Sequence, residues 1–153
     1  LAHTAHPWLS GGIRHRRSDD IIDRLLSALQ AAVEYNPNGE ELLGASVDLS
    51  KYFDRLNIDQ CVHLAESLGL PTTLAQTLRS FYHRRSIWLA RQGCVADAPI
   101  RPSGGLLQGC ALSMLLVVLH MSCWAQCLQM IAPAVQFGCF VDDRTLWIRD
   151  KYQ

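Results

Sequence analysis

The sequence predicts an α+β fold, a small antiparallel sheet with helices packed on one face. Three observations lead there. A stretch from about Cys110 to Ile131 is apolar and long enough for one extended helix. Ile22, Leu25, Leu26, Leu29 and Val33 recur at helical spacing near the start. Two apolar runs, 42–49 and 135–141, are too short for helices and read as strands, the first carrying an acid near its end and the second running straight into two.

Taken in order, residues 1–12 read as irregular. Ser18 is a helix cap, and Asp19 and Asp20 suit the positive first turn of the helix that follows. Asn36-Pro37-Asn38-Gly39 stops that helix. Leu42 to Leu49 (LLGASVDL) is a buried strand that ends at Asp48. A second helix starts at Asn57 or Asp59 and finishes at Gly69. Pro71 opens a third, with Leu74, Leu78 and Phe81 on one face. Ser86 to Arg91 is a strand, Gln92-Gly93 a turn, and a partner strand lies near Cys94. Residues 99–105 are loop. The long helix ends at Pro133, and Val135–Val141 with Thr145–Arg149 form a hairpin around Asp142-Asp143.

Composition narrows the classes. Nearly half of the 153 residues are hydrophobic and 18% are charged, which suits one folded domain or a large piece of one and argues against disorder. Net charge is zero, so any attraction to nucleic acid must be local. Six scattered cysteines without a CxxC pair make a zinc site improbable and fit reduced intracellular thiols. No charged residue lies between Arg101 and Asp142, a window apolar enough for a membrane span. Gln126 and Gln129 share a helical stripe with Ser122, so a buried helix with one wet edge is favoured, with no membrane partner. The chain starts with Leu and stops soon after the acid pair, which suggests a fragment.

A doubled Asp is poorly placed inside a strand and well placed at a hairpin tip. On its own it reads as an ordinary turn. Asp48 changes the weighing, because it also ends an apolar strand. If those strands are neighbours, three carboxylates converge at one sheet edge, where they shift their pKa values or bind a cation. An oxygen-only donor set selects Mg²⁺ or Mn²⁺, and two such ions about 4 Å apart suit phosphoryl or nucleotidyl transfer.

Three segments carry a family resemblance. Asp48-Leu49-Ser50-Lys51-Tyr52-Phe53-Asp54 resembles the first palm motif of reverse transcriptases of the non-LTR retrotransposon and group II intron type. Gly105-Leu106-Leu107-Gln108-Gly109-Cys110-Ala111-Leu112-Ser113-Met114-Leu115-Leu116 resembles the second, and Phe140-Val141-Asp142-Asp143 the third. Gly12-Ile13-Arg14-His15-Arg16-Arg17-Ser18 is similar, more weakly, to a fingers motif. The resemblance implies a right-hand polymerase palm plus part of the fingers, with 1–41 as a partial fingers segment, 42–153 as palm, and no thumb. It implies an RNA-directed DNA polymerase acting on an RNA template, a DNA primer and a dNTP, inside the cell.

The resemblance also implies roles. Asp48 and Asp142 would ligate two Mg²⁺ or Mn²⁺ ions, with Asp143 completing the carboxylate set beside the primer end. The Leu49 carbonyl would complete one metal site. Phe53 would gate the sugar, Gln108 and Gly109 would pack against the nucleotide and template base, and Arg14 or Arg17 would hold the triphosphate. Each has a plainer alternative: Phe53 as a core aromatic, Gln108 as a helix cap, the arginines as a solvated face. Leu107, Cys110 and Met114 depart from the second motif, where proline, serine and proline are usual. Ile13 and Arg16 depart from the fingers motif, where phenylalanine and glycine are usual. Arg79 to Trp88 interleaves bases with aromatics and suits nucleic-acid contact, with Phe81 and Trp88 expected in the core. A palm-like scaffold without catalysis is the alternative reading.

Overall fold

A computed structural model describes residues 6–34 and 41–150; the expected stop at Asn36-Pro37-Asn38-Gly39 lies outside them. The elements in chain order are β1 (Leu9–Ser10), α1 (Asp19–Glu34), β2 (Glu41–Val47), α2 (Tyr52–Arg55), α3 (Ile58–Ser67) and α4 (Thr72–Arg84). They continue with β3 (Ala90–Arg91), β4 (Cys94–Val95), α5 (Ala111–Ile131), β5 (Gln136–Phe140) and β6 (Asp143–Asp150). The class is α+β, as the sequence predicts. Two elements have no counterpart in the sequence reading: β1, expected as irregular, and the single turn α2. The chain divides into two compact units, Leu1–Ser50 with Val117–Gln153, and Lys51–Leu116.

The first unit is built on a four-stranded sheet in the order β1-β5-β6-β2. β2 and β5 both pair antiparallel with β6, and β1 adds a short parallel pair to β5. Alternation along β5 gives its two faces different neighbours. Phe137 meets Trp124 of α5 edge-on, with ring centroids 5.5 Å apart. Gly138 faces α1 so closely that a Cβ there would lie inside the Ile21 side chain. So α5 covers one face, as expected of a helix layer, and α1 crosses the other at the position where glycine leaves room. Leu9, Phe137, Cys139, Met121 and Trp147 are buried in this unit.

β2 corrects one expectation. It is an edge strand, and Leu43 and Val47 stay 47% and 39% exposed, so it is not a strand buried on both faces. An apolar run of this length does not by itself distinguish a central strand from an edge one.

The second unit holds α2, α3, α4 and the start of α5. Asn57 caps α3 by accepting the Gln60 N–H at 3.1 Å, and Pro71 precedes α4, as the sequence predicts. The inward face of α4 carries Ala75, Leu78 and Tyr82. Leu74 and Phe81, expected on that face with Leu78, are exposed, and so is Trp88. The three expected residues span a helical stripe whose centre lies one position further on. β3 and β4 meet through Gln92 and Gly93, both at positive φ (51° and 82°), the mirror-image turn that matches strand twist.

The long helix α5 arises where expected. Its length and composition would let it cross a membrane, but Leu116 to Leu119, Met121 and Ala125 are buried within the protein. Ser122, expected at its wet edge with Gln126 and Gln129, is buried and returns its hydroxyl to the Val118 carbonyl at 2.8 Å; the two glutamines are exposed.

Candidate active site

The third motif forms a two-residue hairpin. Phe140 pairs with Asp143, which leaves Val141 and Asp142 as the turn. Asp142 is thus in the turn, half-buried, while Asp143 opens β6 and is exposed. Val141 has φ 59°, a left-handed conformation that β-branched residues avoid at a cost of about 1–2 kcal/mol.

The surroundings hold it there. The Val141 N–H donates to the Ser10 carbonyl at 3.3 Å, and the Cys139 N–H to the Trp8 carbonyl at 3.1 Å. Next to Ser10, Gly11 is at φ 83°, and a Cβ on it would approach Val141 Cγ2 to 2.7 Å. The short strand that the sequence does not announce therefore braces the acid-bearing turn. Arg16 secures that strand in turn, donating to the carbonyls of His6 at 2.5 Å and Leu9 at 3.1 Å. The fingers-like segment reaches its left-handed angle at His15 (φ 64°), one residue before Arg16.

Asp48 reaches the same end of the sheet through the other side of β6. The β2–β6 ladder runs from Glu41↔Asp150 to Val47↔Arg144. Beyond that last rung the next residues are Asp48 on one strand and Asp143 on the other. Asp48 follows the last rung of the β2–β6 ladder and Asp143 precedes it, with Asp142 in the adjoining turn and the half-buried Leu49 after Asp48. Among the described residues no three His, Cys, Asp or Glu side chains are gathered closely enough to hold a metal ion. All three acids are hard oxygen donors, and two of them are exposed, so the donor set suits Mg²⁺ or Mn²⁺ in type.

Behind the acids lies Arg144, buried on the α5 side of β6. Its guanidinium is 4.8 Å from the Trp124 ring centre, and Nη2 is 3.6 Å from the Met121 sulfur. Burial pushes the Cys139 thiol up to about 12, against the pull of Arg144 and with the help of Asp142 and Asp143. Burial and then Arg144 lower the pKa of His120 on α5. The sequence reading missed Arg144; its adjacency to the acid pair was the available signal.

Arg14 and Arg17 are exposed in the same unit as the acids. Arg17 makes only a loose pair with Asp19 at 4.0 Å between exposed side chains, an interaction of small worth. Its backbone N–H is taken by the Asp20 carboxylate at 2.8 Å, which helps begin α1.

The remaining predicted site residues belong to the other unit. Phe53 is half-buried on α2, edge-on to Tyr52 with centroids 6.1 Å apart. Its carbonyl accepts the Leu106 N–H at 2.6 Å, which ties the first motif to the second. Gly105 passes so close to the Asp54 backbone that a Cβ would fall 2.7 Å from its carbonyl oxygen. Arg85 clamps the same loop, donating to the carbonyls of Gly104 and of Gly105 (2.7 Å to the latter). Gln108 and Gly109 are exposed beyond this anchor. Gln108 lines an open cavity of about 590 Å³ with Asp54, Arg85 and Gly104.

Part of the basic and aromatic stretch is committed to structure. Arg79 pairs with Glu66 at 2.6 Å, and Arg85 holds the loop while lying 5.3 Å from the Tyr82 ring centre. Neither is a spare phosphate ligand. The role of Arg85 was not visible in the sequence, where it is one of two adjacent arginines.

The architecture has counterparts among solved structures. Telomerase from Candida tropicalis in complex with a TWJ fragment of telomeric RNA superposes on 95% of this chain with a TM-score of 0.69, at 14% identity. The chain shares its fold with a segment of telomerase. Apo telomerase from the same organism matches 94% of the chain at 14% identity, both truncated from its C-terminal domain (TM-score 0.68) and as a second apo structure (0.65). Telomerase is a reverse transcriptase-related enzyme, so the palm-and-fingers architecture implied by the motifs is the one observed. This chain spans 26–30% of the length of those telomerase chains. No family model and no curated protein matches the sequence.

Proposed function

We propose that this chain is the palm and a fingers piece of an RNA-directed DNA polymerase of the non-LTR retrotransposon or group II intron type. Within it the 3′-hydroxyl of a DNA primer attacks the α-phosphate of a dNTP on an RNA template, and diphosphate leaves. The observation that supports this most is the β2–β6 register, whose last rung is followed by Asp48 on one strand and preceded by Asp143 on the other, beside the turn that holds Asp142.

Asp48, Asp142, Asp143 and the Leu49 carbonyl would hold two Mg²⁺ or Mn²⁺ ions. Such ions lower the pKa of an attacking hydroxyl and neutralise charge on a leaving diphosphate. The chain's own residues do the placing. Arg14 or Arg17 offers a planar fork to the triphosphate. Phe53 excludes a 2′-hydroxyl by bulk. Gln108 and Gly109 present the clamped second-motif loop to the nucleotide and the template base. The reaction takes place inside the cell, in the copying of a retroelement.

Asp142→Asn in the complete protein is expected to abolish primer extension on poly(rA). Near-normal extension would remove Asp142 from the mechanism. A second reading, a nucleic-acid-binding scaffold that keeps the fold without catalysis, draws on the separation of the acid side chains among the described residues. Cation binding separates the two.

A further inference from the structure

Helix α4 has three sides with different tasks. Ala75, Leu78 and Tyr82 are buried in the second unit. A second side meets α3, where Arg79 pairs with Glu66 at 2.6 Å and His83 with Asp59 at 3.1 Å. The third carries Thr73, Gln76, Thr77, Ser80, Phe81 and Arg84, which recur three and four residues apart and so form one stripe along the helix. These residues are all exposed, none is acidic, and they line a groove of about 730 Å³.

The chemistry of the stripe points to one kind of ligand. Phe81 meets Tyr82 edge-on, with ring centroids 5.2 Å apart, and stays 49% exposed, a flat apolar surface on which a base can stack. Arg79 and His83 face carboxylates, whereas Arg84 has no ion pair or hydrogen bond among the described residues. The other side chains are neutral hydrogen-bonding groups of the kind that contact sugar and phosphate. Thr77 spends its hydroxyl hydrogen on the Thr73 carbonyl at 2.8 Å, so its oxygen is left to accept. A phosphodiester has no hydrogen to offer that oxygen; a ribose 2′-hydroxyl has one.

Charge beyond the stripe agrees. From Pro71 to Val141 the chain carries Arg79, Arg84, Arg85, Arg91 and Arg101 against Asp97 alone, in a protein whose net charge is zero. All of these arginines belong to the second unit, where they set up a positive field that draws in a polyanion. The groove also adjoins the second motif. Arg85 lines it and lines the cavity of Gln108 as well, while clamping the loop between them.

We propose that the outer stripe of α4 is a binding track for single-stranded RNA. Phe81 is the stacking platform for a base, Arg84 the phosphate contact and Thr77 the acceptor for a 2′-hydroxyl. A duplex keeps its bases stacked on one another and offers none to Phe81, so the track selects unpaired RNA. Binding here needs none of the aspartates and holds under either reading of the function. That the bound strand is the template delivered to Gln108 and Gly109 rests on the polymerase reading.

The test is fluorescence anisotropy with the full chain and a short labelled RNA of mixed sequence, compared with the same sequence as single-stranded DNA and as an RNA duplex, at several salt concentrations. The single-stranded RNA is expected to bind most tightly. Phe81→Ala should weaken it about tenfold with the salt dependence unchanged, because stacking releases no counterions. Phe81→Leu should behave alike, which separates a lost stack from lost apolar bulk. Arg84→Gln should weaken binding several-fold and lower the slope of log affinity against log salt by about 1. Thr77→Val should narrow the preference for RNA over DNA, and Arg149→Gln, an exposed arginine of the other unit, should leave binding unchanged. RNA affinity indifferent to Phe81 and Arg84, or a duplex bound as tightly as the single strand, overturns the track. DNA bound as tightly as RNA, with Thr77→Val silent, overturns the 2′-hydroxyl contact.

The two readings fail separately in the complete protein. Primer extension with RNA binding indifferent to Phe81 and Arg84 would leave the polymerase and remove the track. Binding that depends on those residues, in a protein that extends no primer, would keep the track and remove the polymerase.

Discussion

Asp48 stands one residue beyond the last rung of the β2–β6 ladder, Val47↔Arg144, and Asp143 directly precedes Arg144 on the neighbouring strand. That relationship depends on register. Side chains alternate with period two, so a slip of one residue would turn every β2 side chain to the other face and shift Asp48 relative to Asp143. The pairing runs without a break from Glu41 to Val47, and β1 braces the turn that carries Asp142.

Cation binding tests this arrangement directly. Mn²⁺ titrated into the complete protein and followed by electron paramagnetic resonance should reveal a site that weakens by about tenfold or more in Asp48→Asn and in Asp142→Asn, since affinity of oxygen sites follows ligand charge. The double variant should lose little beyond the worse single one, as expected of groups that act as a unit. Binding indifferent to either change would favour the scaffold reading.

Phe53 carries the prediction on sugar choice. Its ring is edge-on to Tyr52, and its carbonyl is tied to Leu106, so truncating the side chain leaves the backbone tether in place. Phe53→Ala in the complete enzyme should raise ribonucleotide incorporation relative to deoxynucleotide by about tenfold or more, because exclusion here is a clash and not a lost bond. A parent enzyme that already uses both equally would remove Phe53 from the gate and point towards an RNA-directed RNA polymerase.

The second-motif loop is testable by stability alone. Gly105 has φ 81°, and a Cβ there would meet the Asp54 backbone, which has no flexible end to move aside. Gly105→Ala should destabilise by about 2–4 kcal/mol, combining the conformational penalty with overpacking. Gly109 has nearly the same angle, φ 82°, but a methyl group added there would meet no atom within 4 Å. Gly109→Ala should cost about 1 kcal/mol. Urea unfolding of the two variants gives the ranking, and the reverse order would contradict the close approach of Gly105 to Asp54.

The Glu66–Arg79 pair predicts a pH dependence. The hydrogen bond from Arg79 lowers the Glu66 pKa below 4.5, with burial opposing and the charges of Arg79 and His63 adding. A carboxylate with a depressed folded-state pKa contributes stability that is present above the unfolded value and fades as pH falls through the folded one. The Tm difference between wild type and Glu66→Gln should therefore be constant near neutral pH and shrink as pH drops below about 4.5. A gap that stays constant into strong acid would show that the pair contributes nothing through ionisation.

Periodic segments were the legible part of the fold. The helices α1, α3, α4 and α5 announced themselves through apolar spacing and caps such as Asn57 and Pro71, because a helix is written in contacts three and four residues apart. β1 was not legible. Two residues make no pattern, and their partner Cys139 lies at the far end of the chain. The α4 face was misjudged by one position, since Leu74 and Phe81 satisfy the same spacing as Ala75 and Tyr82.

By itself the sequence determined the α+β class, the order of the main elements, and the placing of acids where two separate strands end. Those properties follow from local patterns and turn chemistry, which act along the chain. Only the tertiary structure decided that β2 is an edge strand, that its register with β6 ends at Val47↔Arg144 between Asp48 and Asp143, and that Arg16, Arg85 and Arg144 serve as internal supports. Each of these depends on groups far apart in sequence meeting at a particular distance, and hydrophobicity and spacing carry no record of such meetings.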